Sequence, residues 1–316
     1  MIEKAKLTWS GKVIPLEIGA TPENGGTRSH VLSIGGAETL PFLHSEGSTS
    51  FPPALALEVW DVKPSEWSDV LSESFGSVLG HPVEWAQFAL QRGADAICLH
   101  LTSSHPDFQD TPVAESVQLV KTFIENVSAP LILLGSGHVD KDRELLPALC
   151  EAAAGERCLV GPAVDENYRT IAAACMAFGH SLIAETPIDV NLAKQLNILC
   201  EDAGLPKERI VMHHMSSALG YGLEYTYSIM ERARLACLKG DALLSQPMVS
   251  ILGAEVWKTR EANLPEADMP VWGALKARGM YWEAATGLAM LQAGADLLIL
   301  THPDALAIVK QARDLF

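Results

Sequence analysis

Short apolar segments recur eight times along the chain, and longer segments of helical periodicity separate them. The eight segments cover residues 54–61, 96–102, 130–136, 158–164, 181–187, 210–216, 248–254 and 297–303. Several helical segments end in glycine, a common helix stop, at Gly93, Gly179, Gly204 and Gly294. Strands that are apolar on both faces and alternate with helices are typical of a parallel sheet, because helices then cover both of its faces. The sequence therefore predicts an α/β fold with parallel strands.

The number of repeats indicates how this sheet is arranged. Eight strand–helix units favour closure into a (β/α)8 TIM barrel, whereas an open doubly wound sheet would carry G-x-G-x-x-G after its first strand. No such motif follows residues 54–61. We therefore predict one TIM barrel over residues 54–316. Residues 1–53, rich in Gly, Pro and Thr, are predicted to form an N-terminal hairpin and lid segment around it.

Charge and hydropathy restrict the possible partners. The 316-residue chain has a formal net charge of −16, which argues against nucleic acid and anionic membrane surfaces, since both attract basic proteins. No run of about 18 apolar residues could span a bilayer. The first residues alternate polar and apolar side chains without the apolar core of a signal peptide. We expect a globular, cytoplasmic protein with no nucleic-acid or membrane partner.

The six cysteines do not have the spacing of a metal or cluster site. They are Cys98, Cys150, Cys158, Cys175, Cys200 and Cys237, and none belongs to a C-x-x-C pair. This spacing argues against the common zinc ribbons and against an iron–sulfur cluster on this chain. Most of them lie in apolar segments, so we predict buried free thiols in a reducing compartment.

In a TIM barrel, functional side chains lie at the C-terminal ends of the strands and in the loops that follow. Polar residues are concentrated at these ends: Asp61, His100, Thr102, Ser136, His138, Glu185, Thr186, His213, His214, Ser216, Glu255, Thr301 and His302. Two of the following loops, 62–80 and 255–271, are long, and Trp60, Trp67 and Trp257 lie in or beside them. Long loops on one face of a barrel are where ligands or partners bind.

Histidines and carboxylates offer two possible chemistries at the barrel mouth. His213 and His214 are neighbours on one strand, so only one of them can face the mouth, and a metal site built on this pair is disfavoured. Glu58, Glu185 and Glu255 could together hold a divalent ion or act as acid and base. Alternatively, each carboxylate is paired separately at the rim. The sequence leaves both interpretations open.

Several common catalytic motifs do not occur in this sequence. No lysine lies in the middle of a predicted strand, as a Schiff-base aldolase would place it, and there is no G-x-S-x-G elbow or Walker lysine. The sequence LGSGHVD, residues 134–140, is similar to a glycine-rich anion loop. It can also be a simple turn into a helix whose N-cap is Asp140.

The segment LGYGLEYTYSIMERARL, residues 219–235, is unusual because a regular helical pattern begins with two glycines. Each glycine costs a helix interior about 1 kcal/mol relative to alanine. Because the segment follows the sixth strand, the N-terminus of its helix points toward the mouth, where free N–H groups attract ligand oxygens. Gly220 and Gly222 would let a ligand approach the backbone, and Tyr221 adds a flat aromatic face. The alternative is a close contact between helix and sheet.

Longer stretches of the sequence resemble one family. The stretch from HHMSSALGYGLEYTYSIMER to GAEVWKTREA is similar to the small subunit of the corrinoid iron–sulfur protein, a family that includes the delta subunit of the archaeal acetyl-CoA decarbonylase/synthase complex. ALEVWD, GADAICLHLTS, AETPIDVNLAKQLNILCEDAGLPKERIV and WGALKARGMYWEAATGLAMLQAGADLLILTHPDAL resemble the same family. The resemblance therefore covers about residue 54 to the end.

The resemblance implies a TIM barrel that pairs with a larger subunit. In that family, the large subunit carries a four-iron four-sulfur (Fe4S4) cluster and a corrinoid-binding domain, and the cobamide lies at the subunit interface. The complex carries a methyl group from a methyltetrahydrofolate:corrinoid methyltransferase to carbon monoxide dehydrogenase/acetyl-CoA synthase in the reductive acetyl-CoA pathway. On this interpretation the small subunit breaks no bonds itself, and it supplies a wall for the corrinoid and a docking face.

The position of the glycine segment suggests which residues would contact a cobamide. We expect contacts from Thr186, Asn191, His213, His214, Ser216, Ser217, Gly220, Tyr221, Gly222 and Tyr225. One departure from the family is notable, because residues 213–217 read HHMSS where a turn similar to Asp-Pro-Thr-Thr-Gly is expected. This departure is consistent with altered corrinoid contacts or with a divergent paralogue.

Two enzyme classes are alternatives to this function. A pterin-binding methyltransferase barrel would bind methyltetrahydrofolate in its mouth, with Asp61, Asp189 and Asn191 at the pterin edge. A barrel lyase or isomerase would use Glu185 and a histidine. Neither alternative is supported by a sequence motif.

Overall fold

A computed structural model describes residues 6–43 and 45–313 of the chain. Eight parallel strands close into a barrel, and each pairs with its neighbours in chain order until the last meets the first. Two short N-terminal strands, β1 and β2, precede the barrel strands, which are β3 to β10. The strands are Leu16–Ile18, Leu32–Ile34, Ala54–Trp60, Ala96–His100, Leu131–Leu134, Leu159–Ala163, Ser181–Thr186, Ile210–His214, Met248–Ile251 and Leu297–Leu300. All eight predicted strands are found, so the TIM-barrel prediction is confirmed.

Eleven α-helices, α1 to α11, are found among the described residues. They are Asp69–Glu73, Pro82–Gln91, Val113–Asn126, Val139–Ala152, Tyr168–Phe178, Val190–Asp202, Leu223–Leu238, Gly253–Trp257, Arg260–Asn263, Leu275–Ala293 and Pro303–Arg313. The predicted glycine stops adopt left-handed backbone conformations, with φ between 83° and 109° at Gly93, Gly179, Gly204 and Gly294. None of the helices within residues 6–43 and 45–313 is long and apolar enough to cross a membrane.

Two hydrophobic layers hold the barrel together. Inward-facing side chains such as Ala56, Cys98 and Ile183 fill the barrel interior. Their strand neighbours face outward and pack against the helices. Because side chains alternate along a strand, each strand contributes to both layers, which is why the eight segments are mainly apolar and carry their polar side chains near the mouth. All six cysteines are buried and free, as predicted.

The N-terminal segment closes the base of the barrel, the end opposite the mouth. Strands β1 and β2 pair antiparallel, and Leu16, Ile18 and Ile34 pack into the interior layer. Its backbone also bonds to residues just before the barrel strands, since Gly19 N–H donates to the carbonyl of Arg157. The segment is therefore a plug at the base and does not cover the mouth. Residues 1–5 and 44 of the predicted hairpin and lid lie outside the described residues.

A buried arginine fastens this plug. Arg28 is 1% exposed and forms an ion pair with Glu156, with 2.7 Å between Nε and Oε2. Its guanidinium also donates to the carbonyls of Ile124, Val127 and Ala129. A buried charge needs such complete pairing, because its desolvation is costly when a partner is missing.

The helical segment predicted at residues 219–235 begins later than expected. Helix α7 starts at Leu223, and Gly220 and Gly222 precede it with φ values of 79° and 97°. Only glycine adopts these left-handed conformations readily, so the two residues form the connecting loop and do not belong to the helix. The prediction of a helix from Leu219 was wrong.

Candidate functional site

Glu58 and His100 form a hydrogen-bonded pair on the inner wall of the mouth. Both side chains lie on adjacent strands, β3 and β4, and His100 Nδ1 lies 2.6 Å from Glu58 Oε1. Thr301 donates to the other carboxylate oxygen at 3.1 Å. Burial raises the pKa of Glu58, but the hydrogen bond and charge of His100 outweigh it, so the pKa is lower than usual. The Glu58 carboxylate accepts a hydrogen bond from Nδ1 of His100.

A second pair lies on strands β7 and β8. His213 Nδ1 is 2.7 Å from Glu185 Oε2, and its Nε2 is 3.3 Å from the hydroxyl of Ser216. Ser216 is in turn 2.8 Å from the hydroxyl of Ser250 on strand β9. This chain of hydrogen bonds connects three neighbouring strands and fixes the start of the loop that leads to helix α7.

His214 lies on the other side of strand β8. It is 2% exposed, and neither ring nitrogen has a hydrogen-bond partner among the described residues. Burial, together with a smaller effect of the neighbouring His213, lowers the pKa of His214 to about 4. The predicted alternation of the two histidines is therefore observed, with His213 at the mouth. This burial gives no support to a direct contact between His214 and an external ligand.

In the glycine-rich segment after strand β5, the N–H groups of residues 135–138 all bind acceptors within the chain. The carboxylate of Asp142, on helix α4, accepts hydrogen bonds from the N–H groups of Ser136 and Gly137 and from the Ser136 hydroxyl. The N-cap of α4 is His138, whose ring accepts a hydrogen bond from Lys141 N–H. The expected cap at Asp140 was wrong, and the segment is a turn held by an internal carboxylate.

The loop from Met215 to Gly222 is partly exposed at the mouth. Met215 is 50% exposed and Tyr221 49% exposed, and Tyr225 in the first turn of α7 is 65% exposed. A Cβ atom at Gly220 would meet only Trp282, at 3.4 Å. The two glycines are thus required by their backbone conformation, and close packing within the chain does not explain them.

Tyr221 connects this loop to the long loop after strand β9. Its hydroxyl accepts a hydrogen bond from the backbone N–H of Arg260 at 3.2 Å. Beside this hydrogen bond lies an open pocket of about 190 Å³, lined by Ser217, Ala218, Tyr221, Glu255, Lys258 and Thr259. Aromatic, hydroxyl and charged groups therefore meet beside the open loop.

The carboxylate of Glu283, on helix α10, anchors the second long loop. It accepts hydrogen bonds from Trp257 Nε1 at 2.7 Å and from the backbone N–H groups of Thr301 and His302. The His302 ring stacks on Trp257 with 5.7 Å between ring centres. Burial raises the pKa of Glu283 to about 7, and the donors offset only part of this effect.

Sequence reasoning did not identify Glu283 as part of the mouth. The available signal was a carboxylate on a buried helix face, one turn after Gly279, whose missing side chain makes room for Trp257. A Cβ atom at Gly279 would lie 2.5 Å from the Trp257 ring. A buried charge beside a glycine on one helix face indicates a polar contact with a neighbouring element.

The other predicted site residues have separate surroundings. Thr186 is buried beside an open groove, and Asn191 is exposed in the first turn of α6. The three carboxylates proposed as one cluster have different partners, since Glu58 and Glu185 bind histidines and Glu255 pairs with Lys258. No group of three or more His, Cys, Asp or Glu side chains in the described parts of the chain could hold a metal ion.

Two acidic residues considered for a pterin site have structural partners. The carboxylate of Asp61 accepts hydrogen bonds from the hydroxyls of Thr102 and Ser103 and from the N–H of Ser103. Asp189 is the N-cap of helix α6 and accepts from the N–H of Asn191. Both carboxylates therefore stabilise turns at the mouth.

A closed parallel barrel with polar side chains at its mouth places the chain in the class of TIM barrels. Dihydropteroate synthases are among the solved structures that resemble it. The enzyme from Xanthomonas albilineans superimposes with a TM-score of 0.57 at 16% identity, covering 88% of this chain and 97% of that one. The enzyme from Stenotrophomonas maltophilia gives 0.55 at 14% identity, covering 84% and 93%. At this identity the likeness extends to the fold only.

Sequence comparison is more specific. Residues 18–311 match the family described as CO dehydrogenase/acetyl-CoA synthase delta subunit, and the chain belongs to this family. Subunit delta of the acetyl-CoA decarbonylase/synthase complex of Archaeoglobus fulgidus is 37% identical, over 98% of this chain and 69% of the relative. The corresponding subunit of Methanopyrus kandleri is 36% identical, over 96% and 75%. The family resemblance inferred from the sequence is thereby confirmed.

Proposed function

We propose that this chain is the small subunit of a corrinoid iron–sulfur protein. It pairs with a large subunit that carries the cobamide and the Fe4S4 cluster, and its barrel mouth forms one wall of the corrinoid site. The pair carries a methyl group from a methyltetrahydropterin:corrinoid methyltransferase to CO dehydrogenase/acetyl-CoA synthase, in the reductive acetyl-CoA pathway. Family membership supports this assignment, and the exposed loop from Met215 to Gly222 is the structural observation on which it depends.

The open loop fits a large, flat, amide-rimmed ligand. Gly220 and Gly222 have no side chains, and the backbone N–H groups of Gly220 and Ser217 have no partner among the described residues. Tyr221 and Tyr225 expose aromatic faces beside them. Amide-bearing side groups of a cobamide would accept from these N–H groups, and the tyrosine rings would pack against its apolar parts.

The residues of this chain would bind and orient the cobamide, and none of them would take part in the methyl transfer itself. Ser216, Ser217, Gly220, Tyr221, Gly222 and Tyr225 would contact the cobamide, and its cobalt would supply the methyl-carrying chemistry when bound. His213 would hold Ser216 in place, because the imidazole is itself fixed by Glu185. Thr186 and Asn191 would lie at the edge of this contact. His214 is not included, since it is buried on the opposite side of the strand.

The first experiment tests the assembly. A tagged form of this chain is purified anaerobically with its large partner, and optical spectroscopy measures the corrinoid content. We expect a larger chain with corrinoid absorption to copurify. Recovery of this chain alone, with tight binding of methyltetrahydrofolate by calorimetry, would favour a pterin-dependent enzyme.

The second experiment tests the loop with a matched control. Gly220→Trp should lower the corrinoid content of the purified pair several-fold, because the new side chain occupies the ligand side of the loop. Gly179→Trp introduces the same residue at a similar backbone conformation, with φ of 83° in place of 79°, and nothing lies within 4 Å of its Cβ position. We expect the control to retain its corrinoid. Equal retention by both variants would contradict the proposed contact.

A further inference from the structure

An apolar groove lies on the mouth face beside the loop described above. It has a volume of about 350 Å³ and runs across the ends of strands β5 to β8. Its apolar walls are formed by Val139, Val164, Pro187, Leu192, Leu196 and Met215. Two of these side chains, Leu192 and Met215, are 42% and 50% exposed, and Ile188 beside them is 41% exposed. Covering exposed apolar surface of this kind is favourable, because it removes that surface from water.

The charged groups of the groove all have one sign. Asp165, Glu166 and Glu185 line it, and none of its lining residues is Lys, Arg or His. His213 fixes Glu185 through Oε2, and the other oxygen, Oε1, has no hydrogen-bond partner among residues 6–43 and 45–313. Arg143 donates to the backbone carbonyl of Glu166, and the Glu166 carboxylate has no ion-pair partner in the part of the chain that the structure describes. The groove thus combines apolar walls with a positioned acceptor.

Resting on the proposed function, we propose that this groove receives an arginine side chain of the large partner subunit. The guanidinium binds the free oxygen of Glu185, with Asp165 and Glu166 adding attraction at the rim. The aliphatic stem of the arginine packs on Leu192 and Met215. The groove is thereby a protein–protein contact beside the corrinoid wall and is separate from Gly220 and Tyr221.

Arginine fits these features better than lysine does. Its planar guanidinium is more weakly hydrated than an ammonium group and donates in a fixed fork to carboxylate oxygens. Its three-carbon stem covers apolar surface while the head remains polar. A carboxylate that is already held by a histidine loses little side-chain entropy on binding, which favours a specific contact.

The test measures binding and arginine protection in the assembled pair. The affinity of the cobamide-loaded large subunit is compared for wild type, Glu185→Gln and the double variant Asp165→Asn/Glu166→Gln. Glu208→Gln, an exposed carboxylate at the barrel base, is the matched control. Arginines of the large subunit are modified with phenylglyoxal, free and in the complex, and mapped by mass spectrometry.

We expect Glu185→Gln to weaken binding about tenfold and the double variant to weaken it several-fold, with a smaller salt dependence in both. One arginine of the large subunit should be protected in the wild-type complex and lose protection with Glu185→Gln. The groove proposal is wrong, and the proposed function stands, if all variants bind the large subunit as tightly as the control does. The same conclusion follows if no arginine of the large subunit loses its protection with Glu185→Gln. If the large subunit does not bind wild type at all, both proposals fail.

Discussion

The indole of Trp257 donates a hydrogen bond to the buried carboxylate of Glu283, with 2.7 Å between Nε1 and Oε2. This contact joins the long loop after strand β9 to helix α10. The same loop carries Arg260, whose backbone N–H donates to Tyr221 at the open part of the mouth. The position of the proposed corrinoid wall therefore depends on a carboxylate that no external ligand needs to touch.

Glu283 should make the stability of the fold depend on pH near neutrality. Burial raises its pKa to about 7 from an ordinary value of 4.5, so the folded state binds more protons than the unfolded state between these values. Its contribution to stability is complete below about pH 4.5 and is lost as the pH rises through 7. Between pH 5 and 8 this loss is about 2 to 3 kcal/mol.

Urea unfolding of wild type and Glu283→Gln at pH 5, 6, 7 and 8 measures this contribution. The glutamine variant cannot ionise, so the difference between the two unfolding free energies should change over this range in favour of the variant at high pH. Parallel pH dependences for the two proteins would contradict a raised pKa at Glu283.

Gly279 should be needed for the packing of Trp257. An alanine there would place Cβ 2.5 Å from the indole ring, and we expect Gly279→Ala to lower the free energy of unfolding by about 1 to 3 kcal/mol. Gly287→Ala on the same helix is the control, because its Cβ would have ordinary contacts at 3.4 Å. That change should be neutral or stabilising by up to about 1 kcal/mol. Equal effects in chemical denaturation would refute the steric argument.

His214 should be replaceable by an apolar residue with a gain in stability. Both of its ring nitrogens are buried and without partners among the described residues, so His214→Leu removes an unsatisfied polar group. We expect a gain of about 1 to 2 kcal/mol at pH 7. Loss of stability at pH 7 would indicate that the imidazole has a partner, such as a water molecule.

Acid should increase the effect of this substitution. The pKa of His214 is lowered to about 4 from 6.5, so its contribution to stability is present above pH 6.5 and is lost as the pH falls. Between pH 7 and pH 5, the free energy of unfolding should therefore fall by about 2 kcal/mol more in wild type than in His214→Leu. Thermal or urea unfolding at the two pH values measures the difference, and an unchanged difference would contradict it.

Arg28 should account for much of the attachment of the base plug. Arg28→Ala leaves Glu156 buried without its partner, and we expect a loss of about 3 to 5 kcal/mol in unfolding free energy. Arg157→Ala removes an exposed pair with Glu17, which is worth at most about 1 kcal/mol, and serves as the control. Hydrogen exchange in strand β1 should increase only in Arg28→Ala. Similar stabilities for both variants would mean that the plug is held by apolar packing.

Local sequence signals were sufficient for the barrel. Each strand is apolar on both faces. Glycines such as Gly179 and Gly294 end their helices through a local backbone conformation, which does not depend on neighbouring elements. The alternation of His213 and His214 could also be predicted, because the side chains of a strand have a period of two. These features depend on residues that are close in sequence.

Features that depend on distant residues were not predictable. Glu185 and His213 are paired because strands β7 and β8 have a particular register, and Glu283 meets Trp257 only after helix α10 has packed. The start of helix α7 was misjudged because a helical apolar pattern continued through Gly220 and Gly222, whose left-handed conformations end that periodicity. The base plug could not be located because its contacts lie far away in the sequence.

A structure of the assembled pair, with its cobamide bound, would locate the macrocycle relative to the barrel mouth. We predict that the corrin ring and its amide groups lie in contact with residues Ser216–Tyr225, with Tyr221 and Gly220 against the macrocycle. A macrocycle at the barrel base, or one that lies more than roughly 7 Å from this loop, the length of two extended residues, would contradict this prediction.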